Sequence, residues 1–173
     1  MFRVVILFAA ATIVAGGVTN VERCLNDNGD LPLHTYIEGC TDPPCELLHD
    51  EYVVMHTTFK APRNITSMTT WGALYLNVGP VNVPVRYRLG EQETTCNFLE
   101  NTRCPLRKGQ IVRYTLRMYI GVYMLLRSAV RLEYIIMDEN WAPVVCVGFP
   151  VRGDHYRPPV NQQRKLPPLP IRD

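Results

Sequence analysis

The sequence predicts an all-β protein, a sandwich of two antiparallel sheets, and three observations carry that expectation. Polar and apolar residues alternate with the two-residue period of a strand. β-Branched and aromatic residues gather in short runs, and Asn, Asp, Gly and Pro punctuate those runs. No stretch holds a helical period with caps at its ends.

Taken in order, the chain opens with a short positive head, Met1-Phe2-Arg3, followed by apolar Val4 to Val14 and the small residues Ala15, Gly16 and Gly17. This is the build of a cleavable export signal over about residues 1–17; a membrane anchor needs about 20 apolar residues, and this run stops short. The first strand expected is Tyr52 to Phe59, and Trp71 to Val78 repeats its character after a connection bearing Pro, Asn and Ser. Gly79-Pro80-Val81-Asn82-Val83-Pro84-Val85 alternates too, but Pro80 and Pro84 have no amide hydrogen to give a central ladder, so an edge strand or extended rim is expected. From Gln110 to Ile120, Val112, Tyr114, Leu116, Met118 and Ile120 share one face and Arg113, Thr115 and Arg117 the other. Val130, Leu132, Tyr134 and Ile136 form the next apolar face, with Arg131 and Glu133 opposite, and Asp138-Glu139-Asn140 makes a turn. The last strand is expected from Trp141 through Cys146 to about Val151. Residues 152–173 carry five prolines in a polar setting and read as a flexible, partly polyproline tail. Its Arg164 to Pro170 stretch has the look of an SH3 ligand, and Arg152-Gly153-Asp154 the letters of an integrin tripeptide; both read as chance in an exported chain.

Without the signal, the length suits one domain with a real core. The formal charge of +2 is scattered rather than massed in a stripe, which argues against nucleic acid as a partner. Cys24 stands alone, Cys40 and Cys45 bracket four residues, Cys96 and Cys104 bracket a short polar stretch, and Cys146 stands near the end. Sequence leaves the connectivity open, but short loops close at the least entropic cost, so Cys40–Cys45, Cys96–Cys104 and Cys24–Cys146 are the bridges expected. Such bridges persist in an oxidising compartment, outside the cell or in an endosomal or lysosomal lumen. The Asn64-Ile65-Thr66 sequon fits that route and marks Asn64 as a glycosylation site.

Catalysis fails on inventory. Past the signal the serines are Ser67 and Ser128, and neither sits in a Gly-x-Ser-x-Gly elbow. His34, His49, His56 and His155 lack the paired spacing of a zinc-binding helix, and His56, in a strand, is expected to hold an ordinary hydrogen bond. The carboxylate pairs Asp50-Glu51 and Asp138-Glu139 point to opposite strand faces or, on a turn, to water. Every cysteine belongs to an expected bridge, which leaves no thiol nucleophile. Neither an enzyme nor a bound cofactor or metal is expected.

The cysteines and their neighbours then resemble a known family. Cys24, the run from Gly39 through Cys40-Thr41-Asp42-Pro43-Pro44-Cys45 to Leu47, then Cys96, the run Cys104-Pro105-Leu106-Arg107-Lys108-Gly109, and Cys146-Val147-Gly148-Phe149-Pro150-Val151 together are similar to the ML lipid-recognition domain, over about residues 20–151. The likeness is to its Niemann-Pick type C sterol-carrier branch, in the form expanded in insects. What the resemblance implies is an immunoglobulin-like sandwich with an apolar cavity between its sheets for a sterol or acyl chain, and the same disulfide order. It places Val81, Val83, Pro84 and Val85 on the mouth segment, with Val85 standing where the family has an aromatic residue. It places Met118 and Ile120 on the wall, Met124 near an aromatic gate position, and Val130, Leu132 and Tyr134 on the inward face of the next strand, Tyr134 where the family often has Trp. The implied protein is a monomeric secreted carrier of a sterol or related lipid, in transient contact with a membrane or a membrane sterol transporter. The alternatives are an innate-immune module recognising microbial lipids, for which Arg86 and Arg88 flank the mouth, and a carrier of small hydrophobic semiochemicals.

Overall fold

The computed structural model describes residues 17–26, 28–121 and 127–153; the expected signal, Met124, Asp154 and the rest of the proline-bearing tail lie outside them. Within the described residues, eight strands form two sheets. They are β1 (His34–Ile37), β2 (Cys45–Leu47), β3 (Glu51–Lys60), β4 (Met68–Val78), β5 (Val81–Tyr87), β6 (Ile111–Ile120), β7 (Ala129–Asp138) and β8 (Pro143–Gly153), with two short 3-10 helices at Gly90–Glu93 and Thr95–Phe98. One sheet has the order β1-β3-β6 and the other β2-β8-β7-β4-β5. All neighbours are antiparallel except β2, which runs parallel to β8. This is a two-sheet β-sandwich, and among the described residues no helix is long and apolar enough to cross a membrane.

Period-two patterning explains which side chains meet between the sheets. Met55 and Phe59 of β3, Leu74 and Leu76 of β4, Val112 to Ile120 at even positions of β6, Leu132 to Ile136 at even positions of β7, and Val145, Val147 and Phe149 of β8 make one buried apolar cluster. β5 is the edge strand the prolines demanded: Pro84, with no amide hydrogen to give, lies opposite Tyr75 on the sheet's last strand. All three expected disulfides are present, Cys24–Cys146, Cys40–Cys45 and Cys96–Cys104.

Several expectations are corrected. β1 and β2 carried too few residues to show a pattern, and β2 gains its place only by pairing Cys45 to Leu47 with Val151 to Gly153. β8 starts at Pro143 rather than Trp141 and runs to Gly153, so Arg152 and Gly153 belong to a strand and not to the tail. The outer face of β7 does not meet water. The segment before β1 pairs with β8 at Glu22–Gly148 and Asp30–Val145 and between those bridges reaches over β7, the Leu25 amide donating to Glu133 and Asn26 to the Tyr75 phenol, and beneath it Arg131 and Glu133 are buried as an ion pair 2.7 Å apart. Arg131 also binds Glu22 and donates to the Arg23 carbonyl at 2.7 Å. Burial would lower its pKa, but the two carboxylates outweigh that and raise it. Gly148 makes room for this guanidinium, because a Cβ there would lie 2.1 Å from Arg131 Nη2.

Asp138 is not turned to water either: it ends β7 and is 4% exposed. Its carboxylate accepts from the amides of Asn140 and Ala142, each at 2.9 Å, and from Arg63 Nε at 2.5 Å. Burial alone would raise this carboxyl, yet these donors and the Arg63 charge hold it below the ordinary carboxylate range. Asn64, next to Arg63 in sequence, is exposed, its side-chain oxygen accepting from the Lys108 amide at 2.9 Å.

Candidate functional site

The ladder between β4 and β5 sets the faces of the mouth segment. Val85 lies opposite Leu74, Val83 opposite Leu76 and Val81 opposite Val78, so these three valines share the inward face with buried leucines. Cover is lost along that face: Tyr87 is 9% exposed, Val85 half-buried, Val83 39% exposed and Val81 55% exposed. The apolar interior therefore runs out into solvent toward the β4–β5 turn. Met118 and Ile120 are buried at the end of β6, Val53 packs partly buried beside them on β3, and Leu132 and Tyr134 supply the floor from β7.

Of the residues expected to line a site, Val85, Met118, Ile120, Leu132 and Tyr134 thus join the interior cluster, and Val81 and Val83 stand at its rim. Pro84 does not. The strand's period turns it to the outer face, where it borders a shallow depression of about 360 Å³ with Trp71, Tyr75 and Arg86. Val130 does not belong to the lining either: the register slips here, Tyr75 pairing with Arg131 and Leu76 with Ala129, so Ala129 takes the inward place and Val130 is the bulged, half-buried residue. Met124 lies outside the described residues.

The interior is neutral. Tyr134 is fully buried, its phenol hydrogen-bonded to Thr57 at 2.5 Å, and burial pushes its pKa up to about 12. Tyr114 donates to Thr70 at 3.0 Å, Thr70 meets Thr95 at 2.7 Å, and burial pushes the Tyr114 phenol still higher. Both phenols stay protonated at any physiological pH and have partners, so they do not oppose an apolar neighbour. Charge is kept outside: Arg131 and Glu133 lie on the outer face, and Arg86 sits 4.1 Å over the Trp71 ring and 3.7 Å from Glu93. Among the described residues no cluster of His, Cys, Asp and Glu could hold a metal. His56 faces outward with both ring nitrogens bonded, to Thr115 at 2.9 Å and to Glu38 at 2.8 Å. Such a site can shelter apolar matter from water.

Two seams flank the interior, because each sheet ends in a free edge. Where β1 faces β2, Cys40–Cys45 closes the turn, and Ile37, Leu47, Leu48 and Val53 border a pocket of about 240 Å³. Where β5 faces β6, the Tyr87 phenol spans the gap, donating to the Tyr119 carbonyl at 2.7 Å and accepting from the Gly121 amide at 3.1 Å. Outside that contact lies a groove of about 770 Å³ bordered by Tyr52, Arg88, Leu89, Arg117 and Tyr119. Tyr87 and Val53 escaped the sequence reading. For Tyr87 the signal existed, since it continues the odd-numbered parity of Val81, Val83 and Val85.

The ML domain family model matches residues 18–152. A Niemann-Pick type C2 protein from the Japanese carpenter ant superposes with a TM-score of 0.60 at 15% identity, covering 78% of this chain and 99% of its own. Chicken MD-1, solved with lipid IVa, gives a TM-score of 0.41 at 13% identity over 67% of this chain and 77% of its own. No curated protein is significantly similar in sequence. With the bridges, the sandwich and the family model in agreement over the same span, the chain belongs to the ML domain family.

Proposed function

We propose that this protein is a secreted, non-enzymatic carrier that takes a sterol or related lipid between its two sheets and releases it at a membrane or to a receptor. Lipid binding follows from membership of the family; a sterol-like cargo, its transfer and secretion go beyond that membership. The observation that carries it is the inward face of β5, whose valines pass from half-buried Val85 to Val81 at 55% exposed, an apolar surface left uncovered where the interior opens. A carrier's opening has to be apolar and unfilled when empty, whereas a plain core closes over such residues. The ant protein's fold supports the architecture.

Transfer energetics suffice without charge. A sterol burying about 400 Å² of apolar surface gains on the order of 10 kcal/mol by leaving water. Lost freedom takes back several kcal/mol, which leaves roughly micromolar or tighter binding. Met118 adds a flexible, polarizable wall that adapts to more than one ligand shape. Three disulfides fit an oxidising destination outside the cytosol.

Native mass spectrometry of the mature protein and displacement of a fluorescent sterol test the reading. A bound or displaceable lipid is expected, and its complete absence sinks the carrier. Lipid A displacing the probe far better than cholesterol would replace the sterol with a microbial lipid.

A further inference from the structure

The interior opens past β5, and on the β5–β6 side the Tyr87 side chain bridges the two sheet edges. β5 and β6 are the outermost strands of their own sheets, and no ladder joins them. The free edge of β6 is instead capped at separate points along its length. Asn101 Oδ1 accepts from the Arg113 amide at 2.8 Å, the Glu100 backbone amide donates to the Arg113 carbonyl at 2.9 Å, and Gln92 Oε1 accepts from the Arg117 amide at 3.0 Å. Those caps come from the connection that leads from β5 to β6. The last, at the end where the valines open, comes from β5 itself: Tyr87 satisfies both the Tyr119 carbonyl and the Gly121 amide. Its ring is at the same time part of the interior cluster. Tyr87 therefore links the two sheet edges at the point where burial along β5 begins to fail.

We propose that Tyr87 is a positioning residue that sets the width of the lateral seam and so governs how fast lipid passes in and out, an inference that rests on the carrier reading. With the phenol bonded to both backbone groups, the seam is shut from Tyr87 to Leu89, both buried, and lipid traffic is confined to the valine-lined end. Without it, the interior connects sideways to the groove bordered by Tyr52, Arg88 and Tyr119.

Tyr87→Phe keeps the ring in the cluster and removes both hydrogen bonds. Gln92→Ala is the matched control, because it uncaps the same edge at the Arg117 amide and leaves both Tyr87 hydrogen bonds in place. Hydrogen exchange on ligand-free protein and stopped-flow association and dissociation of a fluorescent cholesterol analogue are measured for wild type and both variants, together with the thermal midpoint.

For Tyr87→Phe the Gly121 amide is expected to exchange roughly tenfold faster, the loss of about one net hydrogen bond's worth of protection or slightly more. Sterol association and dissociation rates should both rise severalfold while Kd changes less than either rate. Gln92→Ala should speed exchange at Arg117 and leave the sterol rates alone. Unchanged exchange at Gly121 shows that Tyr87 pins nothing. Faster exchange with unchanged sterol rates leaves the pin but overturns its role in lipid passage, as do equal rate changes in both variants, which would mean general fraying of the edge. Wild-type protein that binds no sterol analogue removes the sterol cargo and the lipid half of this proposal with it, and the Gly121 exchange then still decides the pin.

Discussion

Single residues carry the clearest departures from what a strand pattern foretells. Asp138 stands in a run of polar letters that reads as a solvated turn, yet its carboxylate organises that turn from inside, holding the Asn140 and Ala142 amides and the Arg63 guanidinium. Letter patterns report polarity; they do not report that an arginine from another connection will arrive. A carboxyl whose pKa is lowered by folding adds stability that is present above its unfolded pKa of about 4 and is lost as pH falls through its folded value. Asp138→Asn, which keeps an acceptor but loses the charge, is therefore expected to cost roughly 2 to 3 kcal/mol at pH 7. The gap to wild type should shrink as pH drops below about 4. Urea unfolding at pH 7 and pH 3 reads this directly, and an equal gap at both would show that the carboxylate charge contributes nothing. Gly148 is the second such residue. Gly148→Ala places a Cβ against an Arg131 guanidinium already held by Glu22, Glu133 and the Arg23 carbonyl, so the arginine cannot swing aside cheaply. A loss of about 1 to 3 kcal/mol is expected. Faster proteolysis within the segment before β1 should accompany it, and a wild-type cleavage rate would show that the arginine is not what fastens that segment.

At the level of elements, legibility followed length and side-chain contrast. β6 was readable almost to the residue because Arg113, Thr115 and Arg117 alternate with apolar side chains from Val112 to Met118. β5 was readable as an edge because Pro84 cannot serve a central ladder. β2 was not, since three residues in a parallel pairing with β8 carry no local signal and are placed by the partner. β7 was read correctly in its centre and wrongly at its start: the bulge moves Val130 out of phase, and a bulge is decided by the neighbouring strand rather than by the bulged sequence. The same distinction separates the proposed site residues. Val83 is at the rim with room beside it, whereas Ile120 is 1% exposed among packed neighbours. Val83→Trp should leave the thermal midpoint within a degree or two and weaken sterol binding at least about tenfold, while Ile120→Trp should cost about 1 to 3 kcal/mol by overpacking whether or not a ligand binds. Midpoint and sterol affinity measured on both variants test this, and undiminished sterol binding by Val83→Trp would remove the valine rim from the lipid's path.

Over the whole molecule, the sandwich was legible from strand period and turns, the bridges from loop length, and the site only coarsely from family likeness, because an uncovered face and a filled face are written with the same apolar letters. What sequence hid altogether is that a segment of little regular structure lies across β7 and β8 and turns a half-exposed sheet into a covered one. Cys24–Cys146 is the bond that holds it there, packed with Ile135, Met137 and Trp71 on the outer face. Its position gives it two roles. It closes a loop across a sequence separation of 122 residues, which the chain-entropy view values at on the order of 5 kcal/mol, against about 2 to 2.5 kcal/mol for loops the size of those closed by Cys40–Cys45 and Cys96–Cys104. It also keeps water from the Arg131–Glu133 pair, whose buried charges become costly if their cover lifts without both being solvated. Replacing both cysteines of each bridge by alanine, one bridge at a time, should therefore rank the variants with the Cys24–Cys146 pair lowest in urea unfolding free energy by a margin of about 2 kcal/mol or more. That variant alone should also expose the segment before β1 to protease while the rest of the sandwich still resists. If its loss costs no more than that of either short loop, then neither the long closure nor the cover over β7 contributes as described, and the stability of this fold resides in the interior cluster by itself.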